Sequence, residues 1–332
     1  MATYKGIQGY TVQKLATDPT ASEAVGQLWY NSTLGKFKIA VAGAGAWSSG
    51  SDMNTARSIM ASSGVTTAAI TAGGQIASGT VNAETYDGST WTEKNNLQTA
   101  RENVQGVGST TACVVMAGWL NYPLGATGKT ETWNGTSWTE VNPTVRGDAS
   151  SQGCLSAGAS STSALLWGGS PGTITLCETW DGTCWSEGNN INLAVTQGAG
   201  FGITTAAVSA AGETPASSNY TGVETYDGTS WSEVNSCNTG RNKVTGTGTT
   251  TAGLIYGGEG PPFSALTEKY DGTSWTEVGD LATARYGPGG ARRGTSGDTI
   301  CFGGMISPAP TYTKTTEIWA DPVYTIKTVT VS

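Results

Sequence analysis

Apolar residues along the chain occur in short runs of four or five, each ending in a pair of small residues. The runs are Ile70-Thr-Ala-Gly-Gly74, Val114-Val-Met-Ala-Gly118, Leu165-Leu-Trp-Gly-Gly169, Val208-Ser-Ala-Ala-Gly212, Leu254-Ile-Tyr-Gly-Gly258 and Ile300-Cys-Phe-Gly-Gly304. They are too short for helices and too rich in β-branched and aromatic residues to be loops, so each predicts a buried strand. After every run comes a polar segment of variable length, then a second motif. Its copies are Glu84-Thr-Tyr-Asp-Gly-Ser-Thr-Trp91, Glu131-Thr-Trp-Asn-Gly-Thr-Ser-Trp138, Glu178-Thr-Trp-Asp-Gly-Thr-Cys-Trp185, Glu224-Thr-Tyr-Asp-Gly-Thr-Ser-Trp231 and Glu268-Lys-Tyr-Asp-Gly-Thr-Ser-Trp275. Asp-Gly or Asn-Gly between two aromatic positions predicts a tight hairpin, because Gly supplies the positive φ that such a turn needs.

The Trp residues are 47, 47, 46 and 44 positions apart. A weaker sixth copy is Glu317-Ile-Trp-Ala-Asp-Pro-Val-Tyr324, and Trp47 stands 44 residues before Trp91. Ten residues after the Trp lies Arg57, Arg101, Arg241 or Arg285; Arg146 comes two places early, and Ala194-Val195 stands where the fourth unit should carry its Arg. Each unit therefore reads as four strands: one after the Arg, one running into the small pair, one carrying Glu-Thr-aromatic, and one carrying Trp. Such a sheet cannot cover both faces alone, and a period of about 40–50 residues predicts blades stacked into a β-propeller.

The small pair, the aromatic, the Trp and the Arg together resemble the kelch repeat, over residues 47 to 320. The resemblance implies an all-β, six-bladed kelch-like β-propeller. Six small pairs stand against five complete Asp-Gly hairpins, so we expect the segment around Trp47 to supply the fourth strand of the last blade and to clasp the two ends of the chain. Seven blades, with Trp29, Phe37 and Trp47 marking an incomplete extra one, is the alternative that spacing leaves open. Departures from the repeat are Ala-Gly in two units, the missing Arg in the fourth, and a short spacing from Tyr to Trp.

Residues 1–42 do not repeat. Gly26-Gln-Leu-Trp-Tyr-Asn-Ser-Thr-Leu-Gly-Lys-Phe-Lys-Ile-Ala-Val41 predicts a hairpin turning at Asn31 to Gly35, and residues 323–332 alternate as one strand. This gives three segments: 1–42, an N-terminal hairpin; 43–322, the propeller; and 323–332, a C-terminal strand. Both end segments need partners, and an unpaired strand invites augmentation by another chain. The Gly26–Val41 stretch, leading into Trp47 and Asn54-Thr-Ala-Arg57, is also similar to kelch-type virion and tail proteins of marine tailed bacteriophages, of the cyanophage kind. That resemblance implies a structural protein of the virion, assembled in the host cytoplasm. We expect a tail-associated adhesin or fibre component for host attachment, with Trp29, Tyr30 and Phe37 as attachment residues. A head-associated capsid decoration protein and an intracellular kelch scaffold for protein binding are the alternatives.

Composition narrows the chemistry. The chain of 332 residues has no histidine, 48 Gly, 12 Trp and 12 Tyr. Without imidazole there is no Ser-His-Asp or Cys-His pair and no histidine-held metal, which removes the copper site of galactose-oxidase-type propellers. Sialidase-type propellers need a Ser-x-Asp-x-Gly-x-x-Trp order that is absent here. The repeated Glu84, Glu131, Glu178, Glu224, Glu268 and Glu317, with Glu93, Glu140, Glu187, Glu233 and Glu277, recur once per unit, which predicts a structural role with the Arg or on the sheet edge. The expectation is no enzyme and no cofactor. Gly125-Ala-Thr-Gly-Lys-Thr130 looks like a phosphate-binding loop but has no helix to follow it. A net charge of −8 and a pI near 4.6 disfavour nucleic acid and anionic membranes as partners. No apolar run is long enough to span a membrane, and Met1–Lys5 lacks a signal-peptide core, so a soluble chain made without Sec export is expected. The six cysteines lack metal spacing and are expected as free thiols in the core, although their even number leaves disulfides open.

Recognition is expected where the repeats disagree. Between each small pair and the next Glu lie 9, 12, 8, 11, 9 and 12 residues that share almost no sequence. They carry Trp119, Tyr122, Tyr220, Pro261-Pro262-Phe263 and Pro308 to Tyr312. We take Trp119, Tyr122, Tyr220, Phe263 and Tyr312 as candidate binding residues, since exposed aromatics stack on sugars or anchor a protein contact. Other virion proteins, a host surface glycan or protein, and further copies of the chain are the expected partners.

Overall fold

The computed structural model describes residues 12–43, 45–121, 124–149, 151–260, 263–322 and 324–330. It is all-β, with no helix among the described residues and so none long and apolar enough to cross a membrane. Residues 46–320 form one compact unit; residues 1–45 and 321–332 form another.

In the larger unit the described strands build six four-stranded antiparallel sheets, with two short two-stranded ribbons beside them. The first sheet contains Ala61–Val65, Ala68–Ala72, Ala83–Tyr86 and Trp91–Lys94, in the order expected from the repeat. The inner strands touch in a cycle: Ala61–Val65, Gln105–Gly108, Leu155–Ser160, Ala199–Ile203, Thr245–Thr249, Gly289–Gly290, and back to Ala61–Val65. The arrangement is β-propeller-like. In the last sheet the outer strand is Ala46–Ser49, paired with Thr316–Ala320 so that Trp47 faces Trp319. Strands from opposite ends of the sequence thus close one sheet, as the lone Trp47 led us to expect.

Crowding at the axis explains much of the glycine. A Cβ at Gly200 would lie 2.6 Å from the Ser156 nitrogen, and one at Gly246 2.7 Å from the Phe201 ring. Only Gly lets adjacent sheets approach so closely. The small pairs tie sheet to sheet through the backbone. Gly74 N donates to Arg101 O (2.8 Å), Gly118 N to Ser151 O (2.8 Å), Gly169 N to Val195 O (2.9 Å), Gly212 N to Arg241 O (2.9 Å), Gly258 N to Arg285 O (2.9 Å) and Gly304 N to Arg57 O (2.8 Å). The last of these joins sheet six to sheet one.

Each outer-strand Trp packs on the aromatic of its own third strand, with ring centroids from 4.8 Å apart in Tyr270–Trp275 to 5.5 Å in Trp319–Trp47. Several also reach the preceding sheet, as Trp91 does to Phe302 (4.7 Å) and Trp47 to Tyr256 (4.9 Å). The Trp is therefore the contact that lets one sheet bury the face of the next.

The turn between these aromatics differs from the tight hairpin expected. Tyr86 pairs with Trp91 across four residues, and Gly88 takes φ +97 while the Asp87 carboxylate accepts N–H bonds from Ser89 (2.8 Å) and Thr90 (2.7 Å). The side chain closes the loop, so the positive φ at Gly is only half the reason for the motif.

The repeated Glu is buried. Glu131 accepts from the Gln98 and Thr99 amides and from Arg101 Nη2 at 2.8 Å. The same pairing joins Arg57 to Glu84 (3.1 Å), Arg146 to Glu178 (2.5 Å), Arg241 to Glu268 (2.9 Å) and Arg285 to Glu317. Arg146, two places early, still reaches its Glu. Glu224 has no Arg and is satisfied by the Asn192 and Leu193 amides and by Asn192 Nδ2. The Glu after each Trp, such as Glu93, lies exposed on the outer strand.

All six cysteines are free thiols; five are buried and Cys184 is exposed. Burial pushes the Cys113, Cys237 and Cys301 thiols up to about 12. Residues 125–130 run from a two-residue ribbon strand into the third strand of sheet two, and Lys129 pairs with Glu140 at the surface; no helix follows.

In the smaller unit Gln13–Leu15, Leu28–Asn31, Lys36–Ala42 and Tyr324–Thr328 form one sheet. The hairpin turns at Asn31–Gly35 as expected, and the C-terminal strand pairs antiparallel with Lys36–Ala42. The two end segments, separate in our sequence reading, are thus each other's partners. Trp29, 2% exposed, is the core of this sheet. Its indole donates to Asp18 Oδ1 (2.9 Å), and Asn31 Nδ2 donates to the same oxygen (2.7 Å). This corrects the expectation of Trp29 as an attachment residue, because its ring is consumed by its own fold. Tyr30 and Phe37 are half-buried, with ring centroids 5.2 Å apart.

Two predictions follow from these contacts. Glu131→Gln strands the Arg101 guanidinium and should cost about 3–5 kcal/mol, whereas Glu224→Gln strands no cation and should cost about 1–2 kcal/mol; urea unfolding of both variants measures the gap. The turn carboxylates Asp87, Asp181, Asp227 and Asp271 are held below their ordinary pKa, chiefly by N–H bonds from Thr90, Cys184, Ser230 and Ser274. A lowered folded pKa gives stability that is complete above the unfolded value of about 3.9 and is lost as pH falls through the folded value. Asn134 closes the second sheet's turn without charge, accepting from Thr136 and Ser137. Replacing all four Asp by Asn should therefore shrink the fall in Tm between about pH 5 and pH 2.

Candidate functional site

The non-repeating segments of the fourth, fifth and sixth sheets meet around a cleft of about 510 Å³. Glu213, Asn219, Asn242, Lys243, Glu259 and Phe263 supply most of its chemistry, with Ser218, Gly260, Ser307 and Ala309 completing the wall.

Its frame is regular even though its side chains are not. Glu213 and Glu259 follow the small pair directly. Glu213 exchanges backbone bonds with Thr196 (2.8 and 2.9 Å), and Glu259 does so with Asn242 (2.7 and 3.0 Å). The other sheets repeat this bridge with Gln75, Trp119, Ser170 and Met305 at the same place. The repeat thus fixes the backbone, and the residue type at that position determines what the rim offers.

Lys243 takes φ +51, a left-handed conformation that costs about 1–2 kcal/mol for a residue with a Cβ. Its Nζ lies 3.3 Å from Glu259 Oε2 and 4.3 Å above the Tyr286 ring, combining an ion pair with a cation–π contact. Phe263 also packs on that ring, with centroids 5.4 Å apart and the planes tilted by 41°. Burial pushes the Tyr286 phenol up, and the Lys243 ammonium pulls it back. Asn242 is 5% exposed; its Nδ2 donates to Ser218 O (2.8 Å), and its Oδ1 is buried without a partner. The Asn219 amide, with its nitrogen turned inward, donates to the Glu259 and Ser218 carbonyls at 3.0 Å each.

Two carboxylates, an ammonium and an aromatic face suit a ligand with several hydroxyl groups on an otherwise apolar ring. The hydroxyls would pair with Glu213 and Glu259, and the C–H face would lie on Phe263. Among the described residues no group of three or more His, Cys, Asp or Glu is arranged to hold a metal ion.

Of the aromatics singled out from sequence, Phe263 lines this cleft. Tyr312 is half-buried on a ribbon strand paired with Met305–Ile306. Trp119 is half-buried on another ribbon, paired with Gly125–Ala126. Tyr220 lies on a strand, Ser217–Tyr226, with its ring folded back over Gly222: a Cβ there would stand 1.9 Å from the Tyr220 oxygen. Tyr122, Pro261 and Pro262 lie outside the described residues. Lys243, Glu213, Glu259 and Asn242 were missed. For Glu213 and Glu259 the available signal was charge at positions that other repeats fill with Gln75, Trp119, Ser170 or Met305.

No family model matches the chain, and no curated protein matches it significantly in sequence. Its structure is similar to a solved structure of the protein YjhT, with a TM-score of 0.67 over 84% of this chain and 100% of that one, at 11% sequence identity. At that identity the likeness concerns the fold alone, a β-propeller-like arrangement of four-stranded sheets.

Proposed function

We propose that the chain is a six-bladed, kelch-like propeller acting without catalysis as a binding module of a tailed-phage particle. In this reading it is tail-associated and presents the cleft around Phe263 and Asn242 to a glycan of the host surface. The blade count rests on the six four-stranded sheets and the cyclic contacts of their inner strands. The virion assignment rests on the resemblance of Gly26–Val41 and the junction to Arg57. The smaller unit pairs its own strands, so attachment to a particle would use its outer edges or its faces, and Tyr30 and Phe37 lie half-buried on its two central strands.

The observation that carries the binding role is the cleft itself. Three successive sheets of regular repeats place unlike side chains around one hollow: two carboxylates, an ammonium and an aromatic ring. A non-catalytic role fits the use of the periodic acids: five are neutralised by buried Arg, and the sixth is held by amides.

Phe263→Ala and Glu259→Gln should each weaken adhesion of the purified protein to host cells about tenfold, equivalent to about 1.4 kcal/mol, with particle incorporation unchanged. Adhesion equal to the parent in both variants would sink the reading. Mass spectrometry of separated heads and tails tests the location: recovery with heads would favour decoration of the capsid, and absence from particles an intracellular scaffold.

A further inference from the structure

Where the six inner strands meet, the chain makes one exception to its repeat. At the register of Gly64, Gly108, Gly158, Gly202 and Gly248 the sixth sheet carries Arg292. The five glycines exclude a side chain there: a Cβ would lie 2.2 Å from the Ala68, Ala112 and Ala252 carbonyl oxygens, 2.4 Å from that of Ser163 and 2.3 Å from that of Ala206. The sixth inner strand ends early, at Gly290, and the chain turns away. Arg292 then reaches across the axis, where its Nη1 donates to Gln105 Oε1 of the second sheet (2.5 Å) and to Ser156 Oγ of the third (3.1 Å).

Arg292 borders an axial cavity of about 40 Å³ lined by all six sheets. The lining includes Ile59, Asn103, Gly153, Gln197, Lys243 and Gly287, six equivalent positions that all take positive φ. Their amides are largely spent on one another around the ring. Ile59 N donates to Gly287 O (2.7 Å), Gly287 N to Lys243 O (3.1 Å), Lys243 N to Gln197 O (2.5 Å) and Gln197 N to Gly153 O (2.7 Å). The Tyr256 hydroxyl nearby is likewise committed, to Ile300 O at 3.1 Å.

The guanidinium is not neutralised. Five of the seven Arg form buried pairs with Glu, and Arg293 is exposed. Among the described residues no carboxylate lies within 4.0 Å of Arg292, and its Nε is buried without a partner. Burial lowers its pKa to about 10, which leaves it charged at neutral pH. The side chain is half-buried, and a cation partly withdrawn from water among neutral partners gains from a counter-ion. The cavity exceeds the roughly 10–15 Å³ that one water-sized occupant requires, yet it is too small for a sugar or a nucleotide phosphate.

We propose that this axial cavity is an anion site in which Arg292 binds a single small monovalent anion of the halide class. The proposal does not rest on the glycan-binding reading, although Lys243 borders both hollows. The anion replaces the missing carboxylate and joins the sixth sheet to the second and third across the axis.

The test is the chloride dependence of the full-length protein, read as Tm and as ³⁵Cl NMR line broadening, at constant ionic strength with sulfate as the exchanged anion. Three proteins are compared: the parent, Arg292→Met and Gln105→Glu. The last places a carboxylate beside Arg292 Nη1 and supplies the counter-charge from the chain itself. The parent is expected to gain several degrees of Tm with chloride and to broaden the ³⁵Cl line. Gln105→Glu is expected to be more stable than the parent without chloride, to lose the chloride-specific gain and to leave the line sharp. Arg292→Met should lose the gain and the broadening as well; if that variant does not fold, the comparison of parent with Gln105→Glu decides. Equal chloride dependence and equal broadening in the parent and Gln105→Glu would overturn the proposal.

Discussion

The repeated glutamate is the group on which the architecture turns. Each connection between sheets must bring an exposed outer strand back to the axis, and along that path it leaves backbone amides with no ladder to join. The buried carboxylate of Glu84, Glu131, Glu178, Glu224, Glu268 or Glu317 accepts from those amides, and in five sheets it also meets an Arg. A carboxylate offers about four acceptor positions, so one side chain satisfies a whole turn of chain. The Arg neutralises it and in turn donates to carbonyls of the same sheet, as Arg101 does to Lys129 O. The sheet with Glu224 shows that the amides are the essential part, since it is built in the same way without the cation.

Around that anchor the sheets are held by two further devices. Backbone bonds from the small pairs run from every sheet to the next and close on Arg57, while Trp side chains fill the space between faces. Both need small residues where the sheets crowd together, which is why a chain with 48 Gly folds as strands rather than remaining open. Closure of the last sheet by Ala46–Ser49 makes the larger unit depend on strands from the two ends of the repeat region, so the ring cannot be completed until both are made.

The candidate cleft and the axial cavity arise in the same way, as departures from a rule that the other repeats keep. Lys243 and Gly287 are equivalent backbone positions with the same left-handed conformation, yet one carries an ammonium to the rim and the other nothing. Glu259 and Met305 occupy another shared position. Arg292 stands where five glycines stand. A repeated backbone frees single side chains to vary, because the scaffold's hydrogen bonds are made by main-chain groups and by the fixed Glu, Arg and Trp.

The sequence alone specified the four-strand unit, the order of its strands, a place for the periodic Glu with the Arg or on the sheet edge, and the pairing of Trp47 into the last sheet. These are periodic, so each copy confirms the others, and local chemistry suffices to read them. It did not determine the four-residue turn closed by the Asp carboxylate, the rescue of Glu178 by an Arg two places early, or the burial of Trp29 against Asp18. Nor did it pick out Lys243, Glu213, Glu259 and Asn242, while among the aromatics it ranked Tyr220 with Phe263. Those outcomes depend on distances between residues far apart in the chain: whether a side chain reaches, folds back over a neighbouring Gly, or finds a partner across the axis. Periodicity specifies the frame, but only tertiary packing decides which of its exceptions point into a common space.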